Sequence, residues 1–218
     1  MIHCKGILFD NDGTLVDTRD LLLASFRHCT TQVLGRTYPD DVLLHGVGTP
    51  LAVQMQDLTD DPETQQELLR VYREYNHAIH DEMIRAFPDV PDGLAALRER
   101  GYSLGVVTAK MRWLAWHGLE ITNLAPYFSC CIGADDCELH KPHPDPILMG
   151  CERLGFAPTE CLYVGDSPYD IQAGNAAGCR TAAVLWGMFD EKELRNQAPT
   201  FVCSDFKELI EAIDSVSD

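Results

Sequence analysis

Two carboxylates one residue apart, Asp10 and Asp12, are the side chains of this sequence best placed to do chemistry. They come directly after the apolar run Ile7–Phe9, which has the character of a buried strand, and Gly13 then gives the backbone freedom for a turn. Because side chains alternate along an extended chain, both carboxylates are expected on one side. Such a pair can hold one divalent cation or one phosphoryl group. An EF-hand calcium loop is excluded, because the glycine follows the second Asp directly and no Glu closes a loop at the required distance.

Four more polar residues follow later apolar runs. Thr108 and Asp166 each come at the end of a strand-like run, and Asp170 lies four residues after Asp166. Lys141 opens a segment with three prolines in six residues, which holds the chain extended and fixes the direction of the lysine. Ligands bind at the carboxyl ends of strands in an open parallel sheet, so we expect these side chains to meet the first two carboxylates. There the hydroxyl of Thr108 can donate to a phosphoryl oxygen.

Together these residues favour metal-assisted phosphoryl transfer. Four carboxylates would repel an anionic substrate unless a divalent cation were bound. The oxygen ligands Asp10, Asp12, Asp166 and Asp170 favour Mg²⁺. Of Asp166 and Asp170, one could bind the ion directly and the other could orient the ligands. We expect Asp10 to attack phosphorus and form an aspartyl-phosphate, while Mg²⁺ and Lys141 offset charge. Asp12 would protonate the departing oxygen and later accept a proton from the attacking water, a double role that an elevated pKa would suit.

Short apolar runs predict the strands that position these residues. Three further predictions concern helices: Asp92 caps a helix that runs through Arg100 and that Gly101 stops, Thr108 caps a helix that starts at Lys110, and a closing helix covers Asp205–Ile213. Strands that alternate with helices indicate an α/β chain. The predicted strands are Ile7–Phe9, Ser103–Val107, Cys130–Gly133, Cys161–Gly165 and Thr181–Leu185.

The stretch from Asp20 to Ile84 is different, because its apolar residues recur at helical spacing without strand-like alternation. We predict a helical cap domain at residues 18–85, inserted into a core domain made of residues 1–17 and 86–218. The predicted hinges are Val16–Arg19 and Arg85–Pro88. An insertion at the carboxyl end of a strand commonly covers the site, although a subdomain that only adds stability is the alternative.

Four residues of the cap are predicted to contact the substrate. Gly46 lies in a loop whose glycines permit close approach to a ligand, although a plain interhelical turn is the alternative. Arg73, His77 and His80 would meet the part of the substrate that is not transferred, which suggests a small anion. His77 and His80 do not have the spacing of a zinc-binding helix, so no zinc site is predicted there.

Composition limits the partners and the compartment. The chain has 218 residues, is 45% hydrophobic and carries a formal net charge of −17, which argues against nucleic acid or an anionic membrane as a partner. Its nine cysteines are scattered and form no Cys-x-x-Cys pair, and no apolar run approaches the roughly 20 residues of a membrane helix. We expect reduced thiols in a cytoplasmic protein, present as a monomer or homodimer.

The string from Phe9 to Thr18, Phe-Asp-Asn-Asp-Gly-Thr-Leu-Val-Asp-Thr, resembles the first motif of the haloacid dehalogenase (HAD) superfamily of phosphohydrolases. The other three motifs match in order at Thr108, Lys141 and the pair Asp166 and Asp170. The resemblance implies a doubly wound, mainly parallel Rossmann-like sheet with a helical cap inserted after the first strand. It also implies Mg²⁺ held by Asp10, Asp166 and the backbone carbonyl of Asp12.

Within the superfamily the chain looks like the phosphoglycolate phosphatase branch. The segment from Tyr72 to Asp81 and the triplet Thr108-Ala109-Lys110 are similar to bacterial HAD-type inorganic pyrophosphatases, although many relatives carry Asn or Ser where Ala109 stands. Phosphoglycolate or inorganic pyrophosphate is therefore the expected substrate.

The same residues argue against several other activities. Haloacid dehalogenases lack an acid at the position of Asp12. Phosphonoacetaldehyde hydrolases need a cap lysine, and this chain has no lysine between Lys5 and Lys110. Two alternatives stay open: an isomerase similar to β-phosphoglucomutase, although its relatives usually carry Gly-Val at Gly13-Thr14, and a phosphate- or metal-binding module without turnover.

Overall fold

The buried apolar runs form one parallel sheet of six strands in this computed structural model, which describes residues 4–215. The strands are β1 Gly6–Phe9, β4 Ser103–Val107, β5 Cys130–Ile132, β6 Cys161–Gly165, β7 Arg180–Val184 and β8 Phe201–Cys203, in the spatial order β5-β4-β1-β6-β7-β8. A separate antiparallel ribbon joins β2 Val16–Asp17 to β3 Arg85–Ala86. The predicted α/β class with a doubly wound, mainly parallel sheet is confirmed.

Ten helices accompany the strands within residues 4–215. Four of them, which we call the cap helices, lie between β2 and β3 in the chain: α1 Arg19–Leu34, α2 Asp40–Leu44, α3 Leu51–Gln56 and α4 Pro62–Met83. The other six follow β3 and accompany the parallel sheet: α5 Val90–Glu99, α6 Arg112–Ile121, α7 Asp145–Leu154, α8 Pro168–Ala177, α9 Glu191–Arg195 and α10 Phe206–Ser215. In the residues described, no helix is both long and apolar enough to cross a bilayer.

The register of the central strand sets where the polar residues emerge. Phe9 of β1 pairs with Val106 of β4 on one side and with Val164 of β6 on the other. The three strands therefore end almost level, and the next polar residues along each strand come out at the same edge of the sheet. Strand β1 is fully buried, as a strand covered on both faces must be, which explains its continuous apolar sequence.

The cap helices have an apolar core of their own. Phe26 of α1 and Leu68 and Tyr72 of α4 are buried together with Met55 of α3, and the rings of Phe26 and Tyr72 meet edge to face at 4.9 Å. Helix α4 begins where the sequence provides a cap, because the Asp61 carboxylate accepts from the backbone N–H of Thr64. Packing on this second core keeps the cap helices together above the end of the sheet.

Two of the predicted helix starts are wrong. Helix α5 begins at Val90, with Asp89 at the N-cap position and Asp92 inside the first turn, because Pro91 is well suited to a first turn. Helix α6 begins at Arg112 rather than at Lys110. The hydroxyl of Thr108 accepts from the backbone N–H of Lys110 at 3.1 Å and so stabilises a turn before that helix.

Other differences from the expected elements are small. The predicted hinge segments contain β2 and β3, which pair with each other, and the edge strand β8 was not predicted. Strand β7 begins one residue before the predicted run and ends one residue before its end. The first three and last three residues of the predicted core domain lie outside the described residues.

Candidate active site

Lys141 lies between two of the predicted carboxylates. Its ammonium donates to Asp10 Oδ1 at 2.9 Å and to Asp170 Oδ1 at 2.6 Å, and all three residues are buried. Burial by itself would lower the pKa of Lys141, but the two carboxylates outweigh it and raise the pKa. The lysine is therefore a fixed positive charge. It holds one oxygen of Asp10, while Oδ2 of Asp10 has no hydrogen-bond partner among residues 4–215.

Asp170 is bound on both oxygens by groups of the protein. Oδ1 accepts from Lys141 and lies 3.0 Å from the hydroxyl of Tyr163, and Oδ2 accepts from the backbone N–H and the hydroxyl of Ser167 at 3.0 and 2.6 Å. One oxygen each of Asp10, Asp166 and Asp170 lies within 4.8 Å of the others, a spacing that one ion could bridge. The occupied oxygens of Asp170 nevertheless favour a role in orienting Lys141 over direct metal binding.

Asp166 packs closely against the first motif at Gly13. A Cβ on Gly13, whose φ is +86°, would lie 2.3 Å from Asp166 Oδ2, so only glycine leaves room for this carboxylate. Asp166 accepts from the hydroxyl of Thr14 at 3.0 Å and from the backbone N–H of Met188 at 2.8 Å. Burial, reinforced by the charge of Asp170, raises the pKa of Asp166 to about 7.

The charges of this buried group fit a divalent cation. Three carboxylates, Asp10, Asp166 and Asp170, face one ammonium, Lys141, which leaves a formal charge of −2 when all are ionised. Burial, together with the neighbouring carboxylates, also raises the pKa of Asp10 well above its ordinary range, although Lys141 opposes the shift. A buried negative excess of this kind is costly without a counter-ion. Oxygen ligands are the ones that Mg²⁺ prefers, so the residues present fit that ion.

Asp12 is paired with a lysine that was not predicted as a site residue. The ammonium of Lys110 donates to Asp12 Oδ1 at 3.0 Å, and the amide of Asn11 donates to Oδ2 at 3.1 Å. Burial would raise the pKa of Asp12, but Lys110 and these hydrogen bonds outweigh it and lower the pKa. The elevated pKa expected from the sequence is therefore wrong, because Lys110, 98 residues away in the chain, lies within hydrogen-bonding distance of Asp12.

A cavity of about 170 Å³ lies between these residues and the cap helices. From the core it is lined by the two carboxylates of the first motif, by Thr108, Lys110, Asp166 and Ser167, and by their neighbours. From the cap it is lined mainly by α4 and by the loop before α3, including Val47, Gly48, Thr49, Tyr72, Arg73, Asn76 and His77. Chemistry at the sheet edge would therefore take place beneath the cap.

The cap residues predicted from the sequence do not all reach this cavity. Arg73 and His77 line it, and burial, with the charges of Arg73 and Lys110, lowers the pKa of His77. Gly46 lies outside the lining, and its neighbour Gly48 is the glycine that approaches the core, where a Cβ would lie 2.6 Å from Ser167 Oγ. His80 also lies outside the lining and is buried against α6.

The residues missed from the sequence had only weak signals. Lys110 is one of only five lysines and stands two residues after Thr108. Asn76 was noted with the nearby histidines, yet its buried amide donates to the hydroxyl of Ser25 at 3.0 Å. Tyr163 and Ser167 look like an ordinary strand residue and an ordinary helix cap until their contacts with Asp170 are seen.

Residues 7–184 match the sequence profile of the family described as haloacid dehalogenase-like hydrolase. This chain is a haloacid dehalogenase-like hydrolase. The resemblance seen in the four motifs is thus confirmed for the family.

Relatives of this haloacid dehalogenase-like hydrolase match over nearly the whole chain. Pyrophosphatase PpaX from Oceanobacillus iheyensis is 38% identical over 206 residues, which cover 94% of this chain and 95% of the relative. Pyrophosphatase PpaX from Anoxybacillus flavithermus is 37% identical over 216 residues, which cover 99% of this chain and 100% of the relative. A crystal structure from Haemophilus somnus, described as a predicted phosphoglycolate phosphatase, has a TM-score of 0.88 at 26% identity and covers 96% of this chain and 97% of its own. The haloacid dehalogenase-like hydrolase is accordingly an enzyme of the phosphatase type.

Proposed function

We propose that this enzyme is a Mg²⁺-dependent phosphohydrolase that acts through an aspartyl-phosphate on a small anionic phosphate. The observation that carries the proposal is the hydrogen bonding of the two Asp10 carboxylate oxygens. Lys141 holds its Oδ1, while Oδ2 has no partner among the described residues and Asp10 lines the cavity beneath the cap. A carboxylate fixed at one oxygen and open at the other is suited to attack phosphorus.

The residues of the chain have distinct parts in the proposed reaction. Asp10 Oδ2 would form the bond to phosphorus, with Lys141 fixed beside it and Asp170 orienting that lysine. Thr108 lines the cavity and would donate to a phosphoryl oxygen. When bound by Asp10, Asp166 and the backbone carbonyl of Asp12, Mg²⁺ would supply neutralising charge to the phosphoryl oxygens.

The pair formed by Asp12 and Lys110 suggests how an acid is made available when substrate arrives. With Lys110 beside it, Asp12 is ionised and cannot protonate a leaving group. A second anionic group on the substrate would draw the ammonium of Lys110 toward itself. The pKa of Asp12 would then rise, and the carboxyl could hold the proton that the departing oxygen needs.

The cavity favours a small substrate with a second negative group. A volume of about 170 Å³ is below the roughly 300 Å³ at which sites for drug-sized ligands begin. Lys110 and Arg73 line it with positive charge, and the neutral form of His77 can donate one further hydrogen bond. Pyrophosphate and phosphoglycolate both have this chemistry. The names of the PpaX relatives support pyrophosphate as the first choice.

The test is phosphate release with Mg²⁺ from pyrophosphate, phosphoglycolate, sugar phosphates and p-nitrophenyl phosphate. We expect kcat/KM to be highest for pyrophosphate or phosphoglycolate and turnover to be lost when the metal is chelated and restored by Mg²⁺. Conversion of one sugar phosphate into its isomer without release of phosphate would favour the β-phosphoglucomutase-like alternative. Undiminished turnover after removal of all divalent ions would contradict the proposed cofactor.

Replacing Lys110 by methionine should raise KM for pyrophosphate and phosphoglycolate. The loss of one hydrogen bond to a charged group, about 1.5–3 kcal/mol, corresponds to roughly 10- to 100-fold. p-Nitrophenyl phosphate has no second anionic group, so its KM should change much less. Lys207→Met, at a highly exposed position, is the matched control. An equal increase in KM for all three substrates would instead indicate that Lys110 positions Asp12 and does not bind the second anionic group.

The thiols bear on the compartment. All nine cysteines are free, and five of them belong to the apolar clusters of the core domain as buried residues: Cys4, Cys151, Cys161, Cys179 and Cys203. This arrangement supports our proposal that the enzyme works in the reducing cytoplasm.

A further inference from the structure

A cluster of two histidines and one aspartate lies outside the proposed active site, where cap helix α4 meets core helix α6. Asp81 and His80 are on α4, and His117 is on α6. Asp81 Oδ1 lies 2.9 Å from His80 Nδ1 and 3.1 Å from His117 Nε2. No zinc site was predicted around His80, because His77 and His80 do not have the spacing of a zinc-binding helix. His117 comes from another helix, which that spacing does not reveal.

We propose that His80, Asp81 and His117 form a second metal site, one for Zn²⁺ or a similar divalent transition metal. One nitrogen of each ring and one carboxylate oxygen lie within 4.8 Å of each other. An ion with bonds of about 2.0–2.2 Å to nitrogen and oxygen can contact three ligands at this spacing after small movements. Imidazole nitrogens favour Zn²⁺, Cu²⁺ or Ni²⁺ over Mg²⁺, which distinguishes this site from the carboxylate group beside Asp10.

The surroundings hold the first ligand in place before any ion arrives. His80 is only 1% exposed, and a Cβ at Gly118 of α6 would lie 3.5 Å from its Cε1, so the ring rests directly on the backbone of that helix. Its Nε2 has no hydrogen-bond partner among residues 4–215. Packing and Asp81 alone therefore fix the ring, with Nδ1 directed at the cluster.

The other two ligands are open to solvent. The side chains of Asp81 and His117 are 57% and 44% exposed, so an ion can enter from outside and keep water as a further ligand. Binding needs no change in the number of protons on neutral rings, only a change of tautomer. The hydrogen of His80 would move from Nδ1 to Nε2, and that of His117 from Nε2 to Nδ1. A bound ion would join cap helix α4 to core helix α6.

The experiment is a calorimetric titration of the protein with Zn²⁺ under reducing conditions at saturating Mg²⁺. We expect one Zn²⁺ per chain in the wild type and at least tenfold weaker binding in His117→Ala and in Asp81→Asn. Asn can still accept a hydrogen bond, so Asp81→Asn keeps the hydrogen-bonded cluster and removes the anionic ligand. His45→Ala removes an exposed histidine outside the cluster and should bind as the wild type does. All three variants keep the nine cysteines.

Two results would overturn the proposal. One is equal Zn²⁺ affinity in the wild type, His117→Ala and Asp81→Asn, which would place the ion at thiols or beside Asp10. The other is the absence of Zn²⁺ binding to the wild type at saturating Mg²⁺. Nitrogen-15 spectra of the rings provide an independent readout, because only metal binding should produce both tautomer changes. None of these measurements requires turnover, so they test the second site separately from the proposed phosphatase function.

Discussion

Asp10→Asn is expected to abolish turnover of every substrate, with kcat lowered on the order of 10⁴-fold or more. An amide has the size of the carboxylate but lacks the charge and nucleophilicity needed to attack phosphorus. The variant should still fold, because Lys141 keeps its contact of 2.6 Å with Asp170. Phosphate release measured over hours at high enzyme concentration would determine the residual rate.

Two controls make this result specific to the nucleophile. Asp60→Asn changes an exposed aspartate in the same way and should leave kcat unchanged. Circular dichroism and the melting temperature should show that Asp10→Asn is folded. Full activity in this variant would contradict the covalent mechanism, since among residues 4–215 no other carboxylate that lines the cavity contacts Lys141.

Asp12→Asn is expected to have the second largest effect, and its size should depend on the leaving group. Phosphoglycolate has an alkoxide as its leaving group, which departs poorly unless it is protonated. For this substrate, loss of the proton donor should lower kcat by about 10²- to 10⁴-fold. p-Nitrophenolate leaves without protonation, so the first step should proceed. The second step should then be slow, because Asp12 also accepts the proton of the attacking water.

The resulting pattern is a burst. Rapid mixing of Asp12→Asn with p-nitrophenyl phosphate should release one p-nitrophenolate per active site, followed by slow turnover as the aspartyl-phosphate is hydrolysed. The variant with both Asp10→Asn and Asp12→Asn is the matched control and should show no burst. An equal loss for both leaving groups without a burst would mean that Asp12 only positions Lys110.

Most of the fold could be predicted from the sequence because its signals are local. Continuous apolar runs such as Cys161–Gly165 predicted the buried strands, and helical spacing predicted the cap helices. Asp10, Thr108 and Asp166 each follow such a run directly, and parallel strands bring their carboxyl ends to one edge. Lys141 lies in the loop between β5 and α7, and Asp170 lies in the first turn of α8. The four motifs formed by these residues indicated the family that the comparisons then showed.

What only the tertiary structure decided is which side chains share partners across elements. Nothing in the sequence predicted a contact between Asp12 and Lys110, yet the two side chains lie 3.0 Å apart, and this contact lowers the pKa of Asp12, which was expected to be raised. In the folded chain both oxygens of Asp170 accept hydrogen bonds, and His80 faces His117 and not the cavity. Periodicity and motif spacing report the conformation of one segment at a time. Electrostatic and hydrogen-bonding partners depend on distances between segments far apart in the chain, and those are fixed only when the cap and core pack together.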